Sequence, residues 1–199
     1  MDFVAIDFET TTSNPSSICS MGICQVKRNK VVKTQEFLIK PNPFEFNEYN
    51  VKIHGITPEM VFTKPTFDKY WPEIKPYIEG NLVIAHNTSF DITALKRVLK
   101  LYNIEYPTFE HLCTVQLSRK AYPDLPGHKL NELAETFNIG FSHHNAEDDA
   151  YACAMVMLNI IKDFSIKKIG DFKKCFDISP AKVFPGCDDV TPKKGAKKV

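Results

Sequence analysis

The sequence lacks long apolar runs, paired cysteines and an excess of charge of one sign. No stretch approaches the roughly 18 apolar residues of a transmembrane helix, and no basic, then apolar, leader precedes the first predicted strand. The six cysteines are scattered, and no two of them form a C-x-x-C pair. These absences predict a soluble protein of a reducing, cytoplasmic compartment with no membrane partner.

The charges of the chain nearly cancel, with 25 Lys and Arg against 24 Asp and Glu. A protein that grips long stretches of nucleic acid through phosphate contacts alone is usually more basic. The balance therefore argues against a broad electrostatic clamp, and it leaves open a small site in which metal ions supply the positive charge. The apolar share of 43% is sufficient for the core of one domain.

Alternating strand-like and helical segments predict one α/β domain over residues 1–164. A first strand over 2–9 precedes a hairpin whose strands flank Asn29 and Lys30. The further predicted elements are helices over 67–78, 87–104, 129–138 and 146–164, a strand over 82–86, and a short strand and helix within 111–122. Residues 165–199 are predicted to form a C-terminal extension with one helix and a basic, flexible tail containing Lys193, Lys194, Lys197 and Lys198.

Two carboxylates end the first predicted strand. Asp7 and Glu9 share one face, about 7 Å apart along the strand, because successive side chains point to opposite faces. They lie at its C-terminal end, where open α/β sheets usually bind their ligands. The alternative is a strand that simply emerges into solvent, but buried carboxylates without a partner are costly and need compensation.

A third acid, Asp91, falls in the first turn of the helix after the second apolar strand. An acid there also favours the helix dipole, which is a purely structural explanation. Its helical phase argues otherwise, because Leu95 and Val98 lie four and seven positions further on. Asp91 is therefore predicted to face the core.

The segment HHNAEDDA precedes the last long helix. Asn145 is suited to cap that helix, with Asp148 at its third position completing an arrangement like a capping box. Asp149 instead leads into the apolar stripe of Cys153, Val156 and Ile160, so Asp149 is the acid predicted to face inward.

Inward carboxylates at Asp7, Asp91 and Asp149, together with Glu9, would repel one another unless they were compensated. Hard oxygen ligands of this kind suit Mg²⁺ or Mn²⁺. A rival interpretation is a different phosphohydrolase, in which histidines and aspartates bind metal directly, although the sequence contains no His-Asp dipeptide. That rival would use His86, His143, His144, Asp148 and Asp149.

Three segments in the order FVAIDFETT, HNTSFD and HHNAEDDA resemble the motifs of the DEDDh (DnaQ-like) exonucleases. This family includes the proofreading epsilon subunit of bacterial DNA polymerase III and its stand-alone homologues. The resemblance covers about residues 3–161. It implies a ribonuclease H-like three-layer α/β fold with a central five-stranded mixed sheet flanked by helices.

The resemblance also implies hydrolysis of phosphodiester bonds from the 3′ end of nucleic acid, with release of nucleoside 5′-monophosphates. Two divalent cations, Mg²⁺ or Mn²⁺, are expected to clamp the scissile phosphate, held by Asp7, Glu9, Asp91 and Asp149. The family spacing makes His144 the general base, although the residues alone do not exclude His143.

The expected substrate is the 3′ end of a single-stranded or frayed nucleic acid, with DNA favoured and a DNA polymerase as a further partner. The residues that the resemblance places around the terminal nucleotide are Thr10, His54, Gly55, Ile56, Asn87 and Phe90. Ordinary core packing is the alternative for Ile56 and Phe90. Alternative functions are the trimming of RNA 3′ ends on the same fold and a non-catalytic module that binds nucleic acid or a polymerase.

Overall fold

The computed structural model describes residues 1–187. The strands within this range are β1 (Phe3–Thr10), β2 (Ile18–Lys27), β3 (Lys30–Leu38), β4 (Leu82–Ala85), β5 (Phe109–Cys113) and β6 (Ala181–Val183). The helices are α1 (Glu48–His54), α2 (Pro58–Val61), α3 (Phe67–Ile78), α4 (Thr88–Leu101), α5 (Thr114–Ala121), α6 (Leu130–Thr136), α7 (Ala146–Asp163) and α8 (Gly170–Phe176). The four closing lysines lie outside the described residues.

The strands form one mixed sheet in the order β3-β2-β1-β4-β5-β6. β1 pairs antiparallel with β2 and parallel with β4, β4 pairs parallel with β5, and the predicted β2–β3 hairpin is confirmed. The parallel strands β1, β4 and β5 therefore end at one edge of the sheet, which we call the carboxyl edge. This is the edge at which α/β sheets bind ligands.

The sheet has six strands rather than the predicted five. The additional strand, β6, pairs antiparallel with β5, with Phe109 opposite Val183. It has only three residues, too few for a period-2 pattern to stand out from the surrounding sequence. The fold class otherwise agrees with the prediction.

Helices cover both faces of the sheet and make the fold three-layered. Val4, Ile6 and Phe8 of β1 pack in the cluster that contains α3 and α4, whereas Phe3 and Ala5 pack in the cluster that contains α5 to α8. Because strand side chains alternate, Asp7 and Glu9 point toward the α7 layer.

Part of the predicted extension packs on the rest of the fold. Phe172 and Phe176 of α8 are buried in the same cluster as Ile160 and Ile161 of α7. The boundary at residue 164 stays a prediction. Among residues 1–187, the structure has no helix that combines the length and hydrophobicity needed for a membrane span.

Candidate active site

Three carboxylates meet at the carboxyl edge of the sheet. Asp7 and Glu9 reach this point from β1, and Asp149 reaches it from the first turn of α7. One ligand oxygen from each lies within 4.8 Å of those of the other two. Residues 142 positions apart in the sequence thus share a space small enough for a single cation.

The fourth carboxylate approaches from the opposite layer. Asp91 lies in the first turn of α4 and is 1% exposed. Burial raises its pKa, and hydrogen bonds from the backbone N–H groups of Asp91 itself and of Phe8 oppose that shift. Its Oδ1 atom is buried and has no hydrogen-bond partner. Such an orphaned acceptor is costly, and it indicates a place for a ligand.

The pKa values of all four acids are raised, and burial is the largest cause for each. Burial raises the pKa of Asp7 well above its ordinary value, and the nearby charges of Asp91, Asp149 and Glu9 raise it further. Burial raises the pKa of Glu9 from 4.5 to about 8, and that of Asp91 from 3.8 to about 8. Burial also raises the pKa of Asp149, against the opposing hydrogen bond with His143.

The N-terminus of α7 is held at the sheet by an unusually close backbone approach. Gly22 of β2 pairs with Asp7, and a Cβ built at Gly22 would lie 1.7 Å from the carbonyl oxygen of Ala146. Only glycine leaves room for α7 to begin there. This contact brings Asp149 beside Asp7. Gly22 is not among the residues predicted from the sequence, although a glycine inside a strand is a known signal of close backbone approach.

The two adjacent aspartates of α7, Asp148 and Asp149, make different contacts. Asn145 Oδ1 accepts a hydrogen bond from the Asp148 N–H at 3.0 Å, and Asp148 Oδ2 accepts one from the Ser142 N–H at 3.0 Å. Asp149 is 4% exposed and points into the carboxylate cluster. The Asp148 carboxylate therefore serves the helix start, although it bonds Ser142 rather than the N-cap residue.

Two histidines flank Asp149 in different ways. His143 Nδ1 lies 3.0 Å from Asp149 Oδ1, whereas His144 donates its backbone N–H to Asp149 Oδ2 at 3.0 Å. The two rings stack with centroids 3.9 Å apart, and His144 has a left-handed φ of 67°. In this arrangement the ring beside Asp149 is that of His143, a residue that the sequence left as an alternative to His144.

The environment of His144 favours its neutral form. Burial and the neighbouring His143 lower the pKa of His144 below its ordinary 6.5, with Asp149 opposing the shift. At neutral pH the His144 ring can therefore accept a proton.

A cavity of about 700 Å³ opens over the cluster. Its lining includes Asp7, Glu9 and Asp149, both histidines of the 143–144 pair, and two cationic side chains, Arg119 and Lys129. Asp91 is not part of the lining, because it lies beneath the surface. The cavity thus has carboxylates at its base, and its wall carries Arg119 and Lys129 together with Glu132, whose carboxylate lies 3.9 Å from the Lys129 ammonium.

The residues expected around the terminal nucleotide lie at two places. Thr10, His54, Gly55 and Ile56 lie together at the end of β1, where His54 Nδ1 accepts the Ile56 N–H at 3.0 Å and Gly55 caps α1 with a φ of 73°. Ile56 is 5% exposed and packs in a small apolar cluster, as ordinary core does. None of these four residues lines the 700 Å³ cavity of the described chain.

The other two expected contacts lie at the start of α4. Asn87 lines the cavity and has a left-handed φ of 78°, whereas Phe90 is 40% exposed and is not among the residues that line this cavity. Phe90 is therefore not a core residue, and its contact with a terminal nucleotide stays a prediction.

The rival histidine–aspartate metal site is only partly assembled. His86 is engaged at both ring nitrogens, by Thr114 Oγ1 at 2.9 Å and the His128 carbonyl at 3.0 Å, and burial lowers its pKa to about 4. His143, His144 and Asp149 do offer ligand atoms within 4.8 Å of one another. Of the five residues of this alternative metal site, His86 and Asp148 are therefore not brought together with the other three.

The donor set of the cluster fits divalent cations. All four acids offer hard oxygen ligands, and the orphaned Oδ1 of Asp91 and the raised pKa values show that the carboxylates are poorly compensated by protein groups alone. Positive charge placed among Asp7, Glu9, Asp91 and Asp149 would relieve both features.

Comparison with known proteins gives a family match and curated relatives. The exonuclease family model RNase_T matches residues 4–157. The chain is 32% identical over 178 residues to the PolC-type DNA polymerase III of Caldanaerobacter subterraneus, covering 85% of this chain and 12% of the relative. It is 27% identical over 180 residues to the 3′-5′ exonuclease DinG of Staphylococcus saprophyticus, covering 89% and 20%. The chain thus spans a fifth or less of these relatives' length.

Solved structures share the fold. Exonuclease X in complex with 5′ overhanging duplex DNA superposes with a TM-score of 0.69 at 25% identity, covering 88% of this chain and 98% of that one. The nuclease domain of 3′hExo, a DEDDh family member bound to rAMP, gives a TM-score of 0.68 at 17% identity, with coverage of 81% and 92%. With its fold, its carboxylate cluster and a family match over residues 4–157, the chain belongs to the RNase_T exonuclease family.

Proposed function

We propose that this chain is a metal-dependent exonuclease that removes nucleotides from the 3′ end of nucleic acid and releases nucleoside 5′-monophosphates. The observation that carries the proposal is the convergence of Asp7, Glu9 and Asp149 within 4.8 Å at the carboxyl edge, with Asp91 buried beneath them. Two bound divalent cations, Mg²⁺ or Mn²⁺, would supply Lewis-acid charge to the scissile phosphate and to the departing 3′ oxygen.

The carboxylates would divide the work of holding the cations. The charges of all three other acids raise the pKa of Asp7, so Asp7 is the side chain that would help to hold both cations. Glu9 and Asp149 would complete one cation site on the α7 side. Asp91, with its orphaned oxygen, would serve the other from the α4 side.

His144 is proposed as the general base that takes the proton from the attacking water. Its lowered pKa keeps the ring neutral at pH 7, as a base must be. His143 competes for this role because its Nδ1 atom already lies 3.0 Å from Asp149. We assign His143 to orienting Asp149 and to shielding it until substrate and cations are bound.

The pair of single variants His144→Ala and His143→Ala separates the two roles. We expect His144→Ala to lower turnover by roughly 10²–10⁴, the usual range for a general base, while metal binding persists. His143→Ala should reduce turnover less and weaken metal binding more. The reverse ranking, measured as kcat at saturating metal, would transfer the base assignment to His143.

The proposed substrate is a 3′-terminal single strand, with DNA favoured over RNA. Support comes from the curated relatives, a DNA polymerase III of the PolC type and a 3′-5′ exonuclease. A DNA polymerase is accordingly a proposed partner. Asn87 and the exposed Phe90 would contact the terminal nucleotide from α4, and the 54–56 segment and Thr10 would contact it from the end of β1.

The decisive experiment compares 5′-labelled single-stranded DNA, duplex DNA and RNA, each with a free or a blocked 3′ end. Mg²⁺ or Mn²⁺ should support stepwise shortening of free 3′ ends, and EDTA or Asp7→Asn should abolish it. Blocked ends should survive longer. Intact ends with either metal, combined with binding of the strand, would replace the enzyme by a non-catalytic binding module. Faster shortening of RNA would favour the RNA-trimming alternative.

A further inference from the structure

A second groove, which we call the α4–β6 groove, lies on the opposite face of the sheet from α7. It has a volume of about 550 Å³ and is bounded by α4 on one side and by β5 and β6 on the other. Its floor includes His111 and Val183, and its upper end includes Asn87 and Gln116. The groove exists because α4 leaves the β5–β6 edge of the sheet uncovered.

The charged side chains that line this groove are all positive. Lys96 and Arg97 of α4 and Lys182 of β6 line it, and no Asp or Glu is among its lining residues in the described chain. Lys182 reaches the Glu110 carboxylate at 3.2 Å, and the Lys96 ammonium lies 5.3 Å from the ring centroid of Tyr106. Three cations in one groove depart locally from a chain whose net charge is only +1.

The α4–β6 groove is continuous with the candidate active site. Asn87 lines both cavities, so the left-handed turn at this residue forms the ridge between them. Lys96 lies about 13 Å beyond Asn87 along α4, at about 1.5 Å per residue. On the other side of the ridge, Arg119 and Lys129 line the active-site cavity, where Lys129 lies 3.9 Å from the Glu132 carboxylate. Cationic side chains therefore lie on both sides of Asn87.

We propose that the α4–β6 groove binds the phosphodiester backbone of the substrate strand, several nucleotides on the 5′ side of the scissile bond. The proposal rests on the exonuclease function and adds a second contact region to it. The strand would leave the active site over Asn87 and run beside α4, with its phosphates facing Lys96, Arg97 and Lys182. This path explains how a nearly neutral protein retains a strand while only the last nucleotide occupies the cluster.

Phosphate contacts of this kind have a measurable signature. Each contact to a single strand contributes about −0.7 to the slope of log affinity against log salt concentration, because it releases condensed counterions. Three contacts therefore predict a slope contribution of about −2. They also predict that kcat/KM rises with strand length until the strand spans the groove, a length comparable to the roughly 4–16 nucleotides that an OB fold covers.

The test compares two triple variants with the same change in charge. Lys96→Gln/Arg97→Gln/Lys182→Gln alters the groove, and Lys27→Gln/Arg28→Gln/Lys30→Gln alters the β2–β3 hairpin at the other edge of the sheet. Each is assayed on single strands of graded length, at several salt concentrations, and on the p-nitrophenyl ester of thymidine 5′-monophosphate. This small ester reaches the active site only.

We expect the groove variant to lose most of the length dependence and to flatten the salt slope by about 2, with kcat/KM for the small ester unchanged. The hairpin variant should match the wild type in all three measurements. Equal salt slopes and equal length dependence in the groove variant and the wild type would overturn the proposal and leave the groove to a protein ligand. An equal loss on ester and strand would overturn it too, because the variant would then damage the active site itself. A wild type inactive on both substrates would instead refute the exonuclease function.

Discussion

Helices α4 and α7 each bring one aspartate to the carboxylate cluster from opposite layers of the fold. The two carboxylates differ in how many hydrogen bonds the protein supplies to them. Each carries a nearly fully buried aspartate in its first turn, Asp91 in α4 and Asp149 in α7. The Asp149 carboxylate has a partner at each oxygen, from His143 and from the His144 backbone. Asp91 keeps a buried Oδ1 atom without any partner.

The N-termini of the two helices also differ in hydrogen bonding, and again α7 has the bond that α4 lacks. Asn145 caps α7 through its side chain, whereas Asn87 precedes α4 in a left-handed conformation without a side-chain cap hydrogen bond. The Asp149 carboxylate on the α7 side is thus oriented by protein hydrogen bonds before a cation binds, whereas the Asp91 carboxylate on the α4 side keeps one oxygen without a protein partner. An acid in the first turn of a helix can therefore be oriented in advance by the protein or left with an acceptor atom for a ligand.

The largest expected effect comes from removing the two acids one at a time. Asp91→Asn and Asp149→Asn should each lower kcat by at least about 10²–10³, the loss typical for one electrostatic group of an active site. Their effects on the Tm of the metal-free protein should differ in size. Each variant removes a carboxylate whose pKa is raised by burial, but Asp149→Asn also weakens the pairing with His143, so Asp91→Asn should raise Tm more than Asp149→Asn. Matching Tm shifts would abolish the distinction between the two helices.

A substitution at Gly22 should disturb the packing of α7 against the sheet without changing any of the four acids. Gly22→Ala places a Cβ against the Ala146 carbonyl, and overpacking of this kind costs about 1–3 kcal/mol. We expect a lower Tm and a loss of activity, since Asp149 would move away from Asp7. Gly140→Ala is the matched control, because a Cβ at Gly140 meets no atom within 4 Å. Calorimetry and the strand-shortening assay measure both variants, and an active, stable Gly22→Ala would contradict this role of the glycine.

The stability of the metal-free protein should depend on pH in a definite direction. The pKa values of Glu9 and Asp91 are raised to about 8 in the folded protein, so the folded state holds protons that the unfolded state releases. Stability is then greatest below the ordinary pKa values of these carboxyls and falls as the pH rises toward about 8. Tm measured in EDTA should decrease between about pH 5 and pH 8, and Asp91→Asn should flatten that decrease.

Divalent cations provide the complementary measurement. Mg²⁺ or Mn²⁺ should restore Tm at about pH 8, because a ligand that binds only the folded state stabilises it. A Tm that is independent of pH in EDTA would contradict the charge repulsion inferred for the cluster.

The smallest effects are expected at the α7 cap. Asn145→Ala should lower the free energy of unfolding by about 0.5–2 kcal/mol, the usual cost of losing an N-cap side chain. Asp148→Asn should cost less, because an amide oxygen can still accept the Ser142 N–H. Denaturant unfolding measures both, and Asp148→Asn should keep its activity. An inactive but stably folded Asp148→Asn beside an active Asp149→Asn would reverse the assignment of the two acids.

Helical and strand periodicity correctly predicted which face of its strand or helix each acidic side chain occupies, because burial follows periodicity within one element. Phase alone separated Asp149 from Asp148 and turned Asp91 toward the core. It could not predict the contact between Gly22 and Ala146 or the pairing of His143 with Asp149, since these join segments whose relative position is a tertiary property. The sixth strand escaped prediction for a related reason, because β6 is stabilised by pairing with β5 rather than by its own pattern.

The sequence by itself determined the order of β1 to β5 and of α3 to α7, the identity of the acids and the need for compensating charge, because these follow from local periodicity and from the chemistry of carboxylates. Tertiary structure decided which histidine ring lies beside Asp149, which carboxylate oxygen lacks a partner, and where the α4–β6 groove opens. The physical reason is distance. Local rules extend over a few residues, whereas hydrogen bonds and grooves depend on atoms that packing brings together from remote parts of the chain.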